Sequence, residues 1–163
     1  MKFTITLDYA KDTETVFKVL TDTTYLIKKF EYTGAKNISI PVCEEQGGKF
    51  VITRKLDIPT NPPAYAKKFV KAWNTVTATD TWLSYGREKK IGEFVISIKG
   101  MPVEIDGSLI LDPTKHGCRY IIEFDVRVHI PLIGNKIAKL IESDTRANLQ
   151  MDYEFTKAYL EEL

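Results

Sequence analysis

An alternation of apolar and polar residues runs through most of the chain, from residue 36 to residue 130. The apolar residues recur at every second position in six successive stretches, as they do in half-buried β-strands. Short turns separate many of these stretches, among them one at Gly47 and one at Pro113. A seventh such stretch begins at Phe3. Strands joined mainly by short turns predict one antiparallel, meandering sheet of seven strands.

Helical patterns lie on both sides of this run of strands. Asp12 or Thr13 can cap a short helix, and a second short helix fits residues 25–30. Later the apolar period changes to steps of four and three, through Ile137, Ile141, Asp144, Asn148, Met151 and Phe155. This period predicts a long helix that starts near Pro131 or Gly134. The order is an α+β fold (β-α-α-β6-α), and a long helix across a curved sheet leaves room for a cavity.

The composition indicates one globular domain over residues 1–163. Hydrophobic residues make up 44% and charged residues 28%, as in folded rather than disordered chains. The net charge of +1 argues against a nucleic acid or an anionic membrane recognised by bulk charge. Two cysteines are too few for a disulfide framework, and neither a signal peptide nor a membrane-spanning run is visible. We therefore expect a cytoplasmic protein, and its oligomeric state stays open.

Several short segments carry a resemblance to a known family. They are Tyr9-Ala10, Val16-Phe17-Lys18-Val19-Leu20-Thr21-Asp22, residues 64–69, Thr79-Asp80-Thr81-Trp82, Gly117-Cys118-Arg119-Tyr120 and residues 130–140. With the order of elements, they resemble the helix-grip fold of the START-like (SRPBCC) superfamily, of birch-pollen-allergen and polyketide-cyclase type, and more specifically a bacterial branch of unknown function. The resemblance covers essentially the whole chain and implies this fold and a tendency to bind apolar ligands. It implies no particular ligand or reaction, because the superfamily includes lipid carriers, hormone binders, cyclases and chaperone regulators.

Two polar residues interrupt the apolar face of the long helix. At about 100° per residue, Asp144 and Asn148 fall near the centre of that face. A buried carboxylate is costly without partners, so cavity water, a cation or a polar ligand group has to offset the cost. Alternatively, both residues bond buried groups and fix the helix register. A seam asparagine in a coiled-coil dimer is a third interpretation.

Another polar pair lies on the apolar side of two strands. Arg54 shares the parity of Leu56, and Asp80 shares that of Trp82. If these strands are antiparallel neighbours, position 52 meets 82, 54 meets 80 and 56 meets 78, which places an Arg–Asp pair on the concave face. Arg54 then offers paired donors to a carboxylate or phosphate head group. The alternatives are a structural salt bridge, or a strand twist that turns one residue outward.

Residues 59–73 form a segment between two strands. If residues 64–71 are helical, Tyr65, Phe69 and Trp73 lie along one side and three lysines along the other. Such an amphipathic helix is a lid or packing element over the cavity, or a surface that contacts a membrane or a protein.

The usual catalytic signals are weak or missing. His116 and His129 show neither metal-ligand spacing nor an obvious carboxylate partner, and we expect both to be exposed. Cys43 and Cys118 have no visible activating histidine, so we expect inert thiols. Neither a phosphate-binding loop nor a zinc motif occurs. We expect no cofactor and no metal.

These observations favour a non-catalytic protein that binds or carries an apolar or amphipathic small molecule, lipid or polyketide-like, between the sheet and the long helix. The predicted ligand-binding residues are Arg54, Asp80, Trp82, Phe94, Ile96, Tyr120, Phe124, Asp144, Asn148 and Met151. A packed interior below about 100 Å³ would leave no room for such a ligand. One alternative is a cyclase, dehydratase or hydrolase with Asp144 as acid/base and Arg54 stabilising an oxyanion. Another is an interaction module that contacts a membrane or protein through Tyr65 to Trp73.

Overall fold

A seven-stranded antiparallel sheet is the frame of the molecule, described over residues 1–163 by a computed structural model. The strands are β1 (Lys2–Tyr9), β2 (Lys36–Gln46), β3 (Lys49–Pro59), β4 (Trp73–Ser84), β5 (Lys90–Ile98), β6 (Val103–Thr114) and β7 (Gly117–Val128). Strands β2 to β7 each pair with their neighbours in the chain, and β1 pairs with β7 at the far edge. The predicted seven-stranded meander is confirmed.

Three α-helices complete the fold: α1 (Thr13–Leu20), α2 (Thr23–Tyr32) and α3 (Gly134–Glu161). Asp12 caps α1 by accepting a hydrogen bond of 2.9 Å from the Thr15 amide, as one of the two predicted caps. The second helix is longer than predicted, because Asp22 caps it by accepting from the Tyr25 amide. No helix combines the length and the apolar character needed to cross a membrane.

Two apolar clusters hold these elements together. The larger one joins the concave face of the sheet to α1, α2 and α3, and in it Phe3 stacks on Phe124 with ring centroids 4.7 Å apart. The smaller one lies near the start of α3 and consists of Ala66, Val70, Met101, Ile130 and Ile137. Space between the sheet and the middle of α3 is left partly unfilled.

The predicted helix over residues 64–71 is wrong. The structure has only a 3₁₀ turn (Ala64–Ala66) in this segment, followed by irregular chain. Ala66 and Val70 are its buried side chains, whereas Tyr65 and Trp73 are 46% and 43% exposed. A side-chain hydrogen bond joins the two ends of the segment, where the Asn74 amide donates to Thr60 Oγ1 at 3.0 Å.

The predicted register between β3 and β4 is wrong by two residues. Asp80 lies opposite Ile52, and Arg54 lies opposite Ala78. A shift of two keeps each side chain on its predicted face, because the side-chain period of a strand is two. Arg54 and Asp80 are therefore diagonal rather than direct neighbours, and their side chains still meet on the concave face.

Gly107 lies where β6 passes very close to the backbone of β7 and to the ring of Phe94. An added Cβ would stand 1.7 Å from the Glu123 carbonyl oxygen and 2.8 Å from the Phe94 ring. We expect Gly107→Ala to lower the free energy of unfolding by about 1–3 kcal/mol, measured by urea denaturation, because overpacking forces backbone shifts. Gly86→Ala is the matched control, since no atom lies within 4 Å of its added Cβ. Equal effects of the two substitutions would contradict this account.

Candidate functional site

An inner cavity of about 120 Å³ lies between the sheet, α2 and the C-terminal half of α3. Most of its lining is apolar, as expected for a site that holds part of a small molecule. Seven predicted ligand-binding residues line it: Arg54, Asp80, Trp82, Phe94, Ile96, Tyr120 and Phe124. Whether they contact a ligand stays a prediction.

Four charged side chains, which we call the charged quartet, face this cavity: Lys29, Arg54, Asp80 and Asp152. Arg54 Nη1 lies 3.0 Å from Asp80 Oδ2, so the predicted Arg–Asp pair forms. Lys29 Nζ lies 3.5 Å from Asp152 Oδ2 and joins α2 to α3. All four side chains are between 13% and 20% exposed. The quartet is therefore two ion pairs, largely removed from bulk water.

The ion pairs keep both cations of the quartet charged. Burial alone would lower the pKa of Arg54, but the neighbouring Asp80 carboxylate outweighs it, and the pKa is raised. Burial likewise opposes charge on Lys29, and the attraction of Asp152 raises its pKa overall. Both cations of the quartet therefore stay protonated, each beside an aspartate.

Tyrosine hydroxyls complete the polar part of the inner cavity. Tyr25 Oη lies 2.5 Å from Thr156 Oγ1. Thr156 itself donates to the Asp152 carbonyl oxygen, so its single proton is used and Tyr25 is the donor. Tyr120 also lines the cavity, and burial, followed by the nearby Asp80 charge, raises its pKa. Both phenols are therefore neutral hydrogen-bonding groups.

An outer cavity of about 230 Å³ adjoins the inner one. Apolar residues from five strands, α2, α3, the turn between β5 and β6 and the segment before β4 line most of it: Phe30, Leu56, Ile58, Val70, Val76, Ile96, Ile98, Met101, Ile105, Phe124, Leu140, Ile141 and Leu149. Asp144 and Asn148, both predicted ligand-binding residues, also lie in its lining. Arg54 and Asp152 line both cavities, so the boundary between the cavities carries one cation and one carboxylate.

The predicted face of α3 needs a correction. Asp144 is exposed at the cavity edge rather than central, and Met151 lines neither cavity and is 37% exposed. The positions one residue later, Thr145 and Asp152, face the cavities instead. Steps of four and three assume 3.5 residues per turn, and an α-helix departs from that repeat by about 20° every seven residues.

Asp144 differs from the quartet because its carboxyl group has no ion-pair partner. Apolar surroundings at the cavity edge raise its pKa through partial burial. No salt bridge forms at this residue, whereas the next carboxylate along the helix face, Asp152, pairs with Lys29. Because Asp144 is exposed, no cation, cavity water or ligand group is needed to offset a cost of burying its charge.

Lys29, Tyr25, Asp152 and Thr156 were not among the predicted site residues. Lys29 lies three residues after Leu26 and four after Tyr25, both buried, and this helical spacing indicates a shared face. That signal was available in the sequence. The sequence pattern did not indicate Asp152 and Thr156, because their position depends on the rotation of α3 about its axis.

The histidines and cysteines do not gather at the cavities. Contrary to prediction, His129 has a carboxylate partner, because its Nε2 lies 3.1 Å from Glu104 Oε2. That pair is well exposed, and His116 lies in a separate surface groove beside Lys157. Burial raises the pKa of Cys118 to about 11, so this thiol is unreactive at neutral pH.

The sheet, the long helix and the cavities between them define a helix-grip fold, as the resemblance implied, and solved structures share it. The protein TTHA0849 from Thermus thermophilus is 11% identical, with a TM-score of 0.68, and the match covers 98% of this chain and 97% of that one. Norcoclaurine synthase from Thalictrum flavum, in complex with dopamine and hydroxybenzaldehyde, is 15% identical, with a TM-score of 0.62 and coverage of 99% and 87%. Ara h 8.0201 is 11% identical, with a TM-score of 0.60 and coverage of 100% and 99%. At these identities the similarity shows a shared fold.

The chain belongs to the family described as "Protein of unknown function (DUF2505)", which matches residues 4–160. No curated protein matches the sequence significantly. The START-like architecture and the unknown function of the family agree with the resemblance seen in the sequence.

Removing one member of the Lys29–Asp152 pair tests its structural importance. Lys29→Met leaves the Asp152 carboxylate unpaired, and we expect a loss of about 1–3 kcal/mol in the free energy of unfolding, less than for a fully buried pair. Lys28→Met, on the exposed side of the same helix, is the matched control and should change stability by less than about 0.5 kcal/mol. Chemical denaturation measures both. If Lys29→Met behaves like Lys28→Met, the pair contributes nothing.

Proposed function

We propose that the protein binds a small amphipathic molecule, with its apolar part in the outer cavity and its polar end at the charged quartet. The observation that carries this proposal is the direct contact between a mainly apolar cavity and a set of charged side chains. Pockets of this kind, with few polar groups in an apolar lining, are typical of small-molecule sites.

The sizes of the cavities limit the ligand. Both exceed the bound of about 100 Å³ below which an interior is closed to ligands, and the larger is slightly under the usual range of about 300–1,000 Å³. A compact molecule with one short apolar body fits this space better than a two-chain lipid. Each methylene group that such a body buries contributes about 0.8 kcal/mol.

The shared fold provides precedent for this use. Norcoclaurine synthase holds dopamine and hydroxybenzaldehyde within the same architecture. Those compounds are small and carry polar groups on an apolar ring, which matches the class of ligand proposed here. The residues of the quartet, rather than the fold, then determine what this chain binds.

Filling the cavity tests binding directly. Ile96 lines both cavities, whereas its neighbour Val95 is 58% exposed on the opposite face of β5. We expect wild type and Val95→Trp to bind the uncharged fluorescent probe N-phenyl-1-naphthylamine saturably, and Ile96→Trp to bind it at least tenfold more weakly. Fluorescence titration measures the Kd, and thermal melting shows whether the variants are folded. Equal binding by the two variants, or none by wild type, would refute the proposal.

Asp144 supports the enzymatic alternative by a single observation. Its carboxyl group lines the outer cavity without an ion-pair partner, and partial burial raises its pKa, as suits a general acid or base. Arg54, the proposed oxyanion partner, is already engaged with Asp80. The alternative would gain weight only if Asp144→Asn stopped turnover of a compound that the wild type converts.

A second candidate function is contact with an anionic membrane beside the outer cavity. Leu132 is fully exposed and adopts a left-handed backbone with φ of 70°, which disfavours any residue other than glycine or asparagine. It lies in the turn before α3, between Ile130 and Ile133 in the chain, which pack in the same apolar cluster as Ala66 and Val70 of the segment before β4. An exposed apolar side chain held in a strained turn is explained if a lipid surface covers it.

The charge around Leu132 favours an anionic surface. Residues 60–73 and 130–140 contain no Asp or Glu, and they carry five lysines: Lys67, Lys68, Lys71, Lys136 and Lys139. The two segments touch, because Lys136 Nζ lies 5.5 Å from the centre of the Tyr65 ring. The net charge of +1 for the whole chain conceals this local excess of positive charge.

Replacing Leu132 tests membrane contact without harming the fold. Leu132→Asn removes the apolar side chain and suits a left-handed backbone, so we expect unchanged stability and at least threefold weaker sedimentation with phosphatidylserine-containing vesicles. Val95→Asn, which also removes an exposed apolar side chain but on the far face of the sheet, should sediment like wild type. Loss of binding by neither variant, or by both, would contradict membrane contact at Leu132.

A further inference from the structure

We infer that the polar end of the bound molecule is uncharged and both donates and accepts hydrogen bonds, as a hydroxyl or primary amide does. This inference rests on the proposed binding function and specifies the class of ligand. It follows from how charge is arranged at the quartet and at the boundary between the cavities, whereas Asp144 lies apart from both, at the exposed edge of the outer cavity.

The charges of the quartet balance one another. Arg54 pairs with Asp80, and Lys29 pairs with Asp152. The four charges come from four elements, β3, β4, α2 and α3, and the inner cavity has no other charged residue in its lining. A charged ligand group would therefore leave one unmatched charge in a largely dehydrated site, which is unfavourable.

The boundary between the cavities presents opposite charges to whatever enters. Arg54 and Asp152 line both cavities, whereas Lys29 and Asp80 line only the inner one. A ligand that reaches inward from the outer cavity therefore meets one charged donor and one charged acceptor at the boundary. A carboxylate would face the Asp152 charge, and an ammonium would face the Arg54 charge, so each is opposed by one of the two.

Both boundary side chains retain hydrogen-bonding capacity. Arg54 has five N–H donors and contacts Asp80 through Nη1, and the Asp152 carboxylate has acceptor sites besides its contact with Lys29. Tyr120 adds a neutral phenol to the inner cavity. A hydroxyl group has both an acceptor for Arg54 and a donor for Asp152, whereas an ether can only accept.

Displacement of N-phenyl-1-naphthylamine by four matched compounds tests this inference at pH 7. The compounds are 1-octanol, heptyl methyl ether, octanoate and octylammonium. We expect wild type to bind 1-octanol at least fivefold more tightly than heptyl methyl ether, because the ether has no polar proton to donate. Apolar burial alone would give the opposite order, since the ether is the more apolar of the two. Equal affinity for the alcohol and the ether would overturn the inference, and so would tightest binding of either ion.

Charge-changing variants provide the second arm. Asp80→Asn leaves Arg54 unbalanced, so the ratio of octanoate to 1-octanol affinity should rise at least tenfold. Lys29→Met leaves Asp152 unbalanced, so the ratio for octylammonium should rise similarly. Asp57→Asn, which removes a carboxylate outside both cavity linings, should change neither ratio. Unchanged ratios in both quartet variants would overturn the inference.

The outcomes separate this inference from the proposed function. If wild type binds neither the probe nor any of the four compounds, the binding function itself fails. If it binds them and prefers an ion, binding stands and the uncharged ligand class is wrong. The comparison of alcohol with ether needs only wild-type protein, so it decides the question even where a variant does not fold.

Discussion

The neutralisation of charge between the sheet and the helices is the constraint on which the rest of the structure depends. A lysine, an arginine and two aspartates lie where an apolar core would otherwise continue. Each is stable there only because it has a partner within 3.5 Å. The Lys29–Asp152 pair also fixes how α2 lies against α3, and the Tyr25–Thr156 hydrogen bond supports the same contact one turn further along.

The quartet also interrupts the apolar packing of the interior, and the inner cavity lies beside it. Apolar packing resumes on either side, in the large cluster under β1 and β7 and in the small cluster around Val70 and Ile137. The small cluster contains few residues and borders the outer cavity through Val70 and Met101. A region with so few buried contacts opens more readily than the main core, which suits entry of a ligand on that side.

The fold could be predicted from the sequence because the alternation of apolar and polar residues, the turn residues and the helical period of the last segment each indicate the same strands and helices. Face assignments were also correct for Arg54 and Asp80, since a shift of two residues in register leaves side chains on their faces. The register of β3 against β4 depends on the path of the irregular segment that connects them, and the number of residues in that segment does not determine this path. The prediction of which face of α3 lies over the cavity was wrong for a different reason. Small errors in the assumed helical period accumulate along the helix, and Asp144 and Asp152 differ in their angular position around the helix axis by only a fraction of a turn.

The pairing of polar groups at the site bears on what kind of ligand it takes. Every buried side-chain polar atom in the structure has a hydrogen-bond partner, and the quartet is electrically balanced. A site built around a permanent charged group tends to show the opposite, with charges that only the group can satisfy. In the proposed function the ligand adds contacts at Arg54, Asp152 and Tyr120 without being needed to complete the fold. This balance supports the proposed binding of an uncharged molecule.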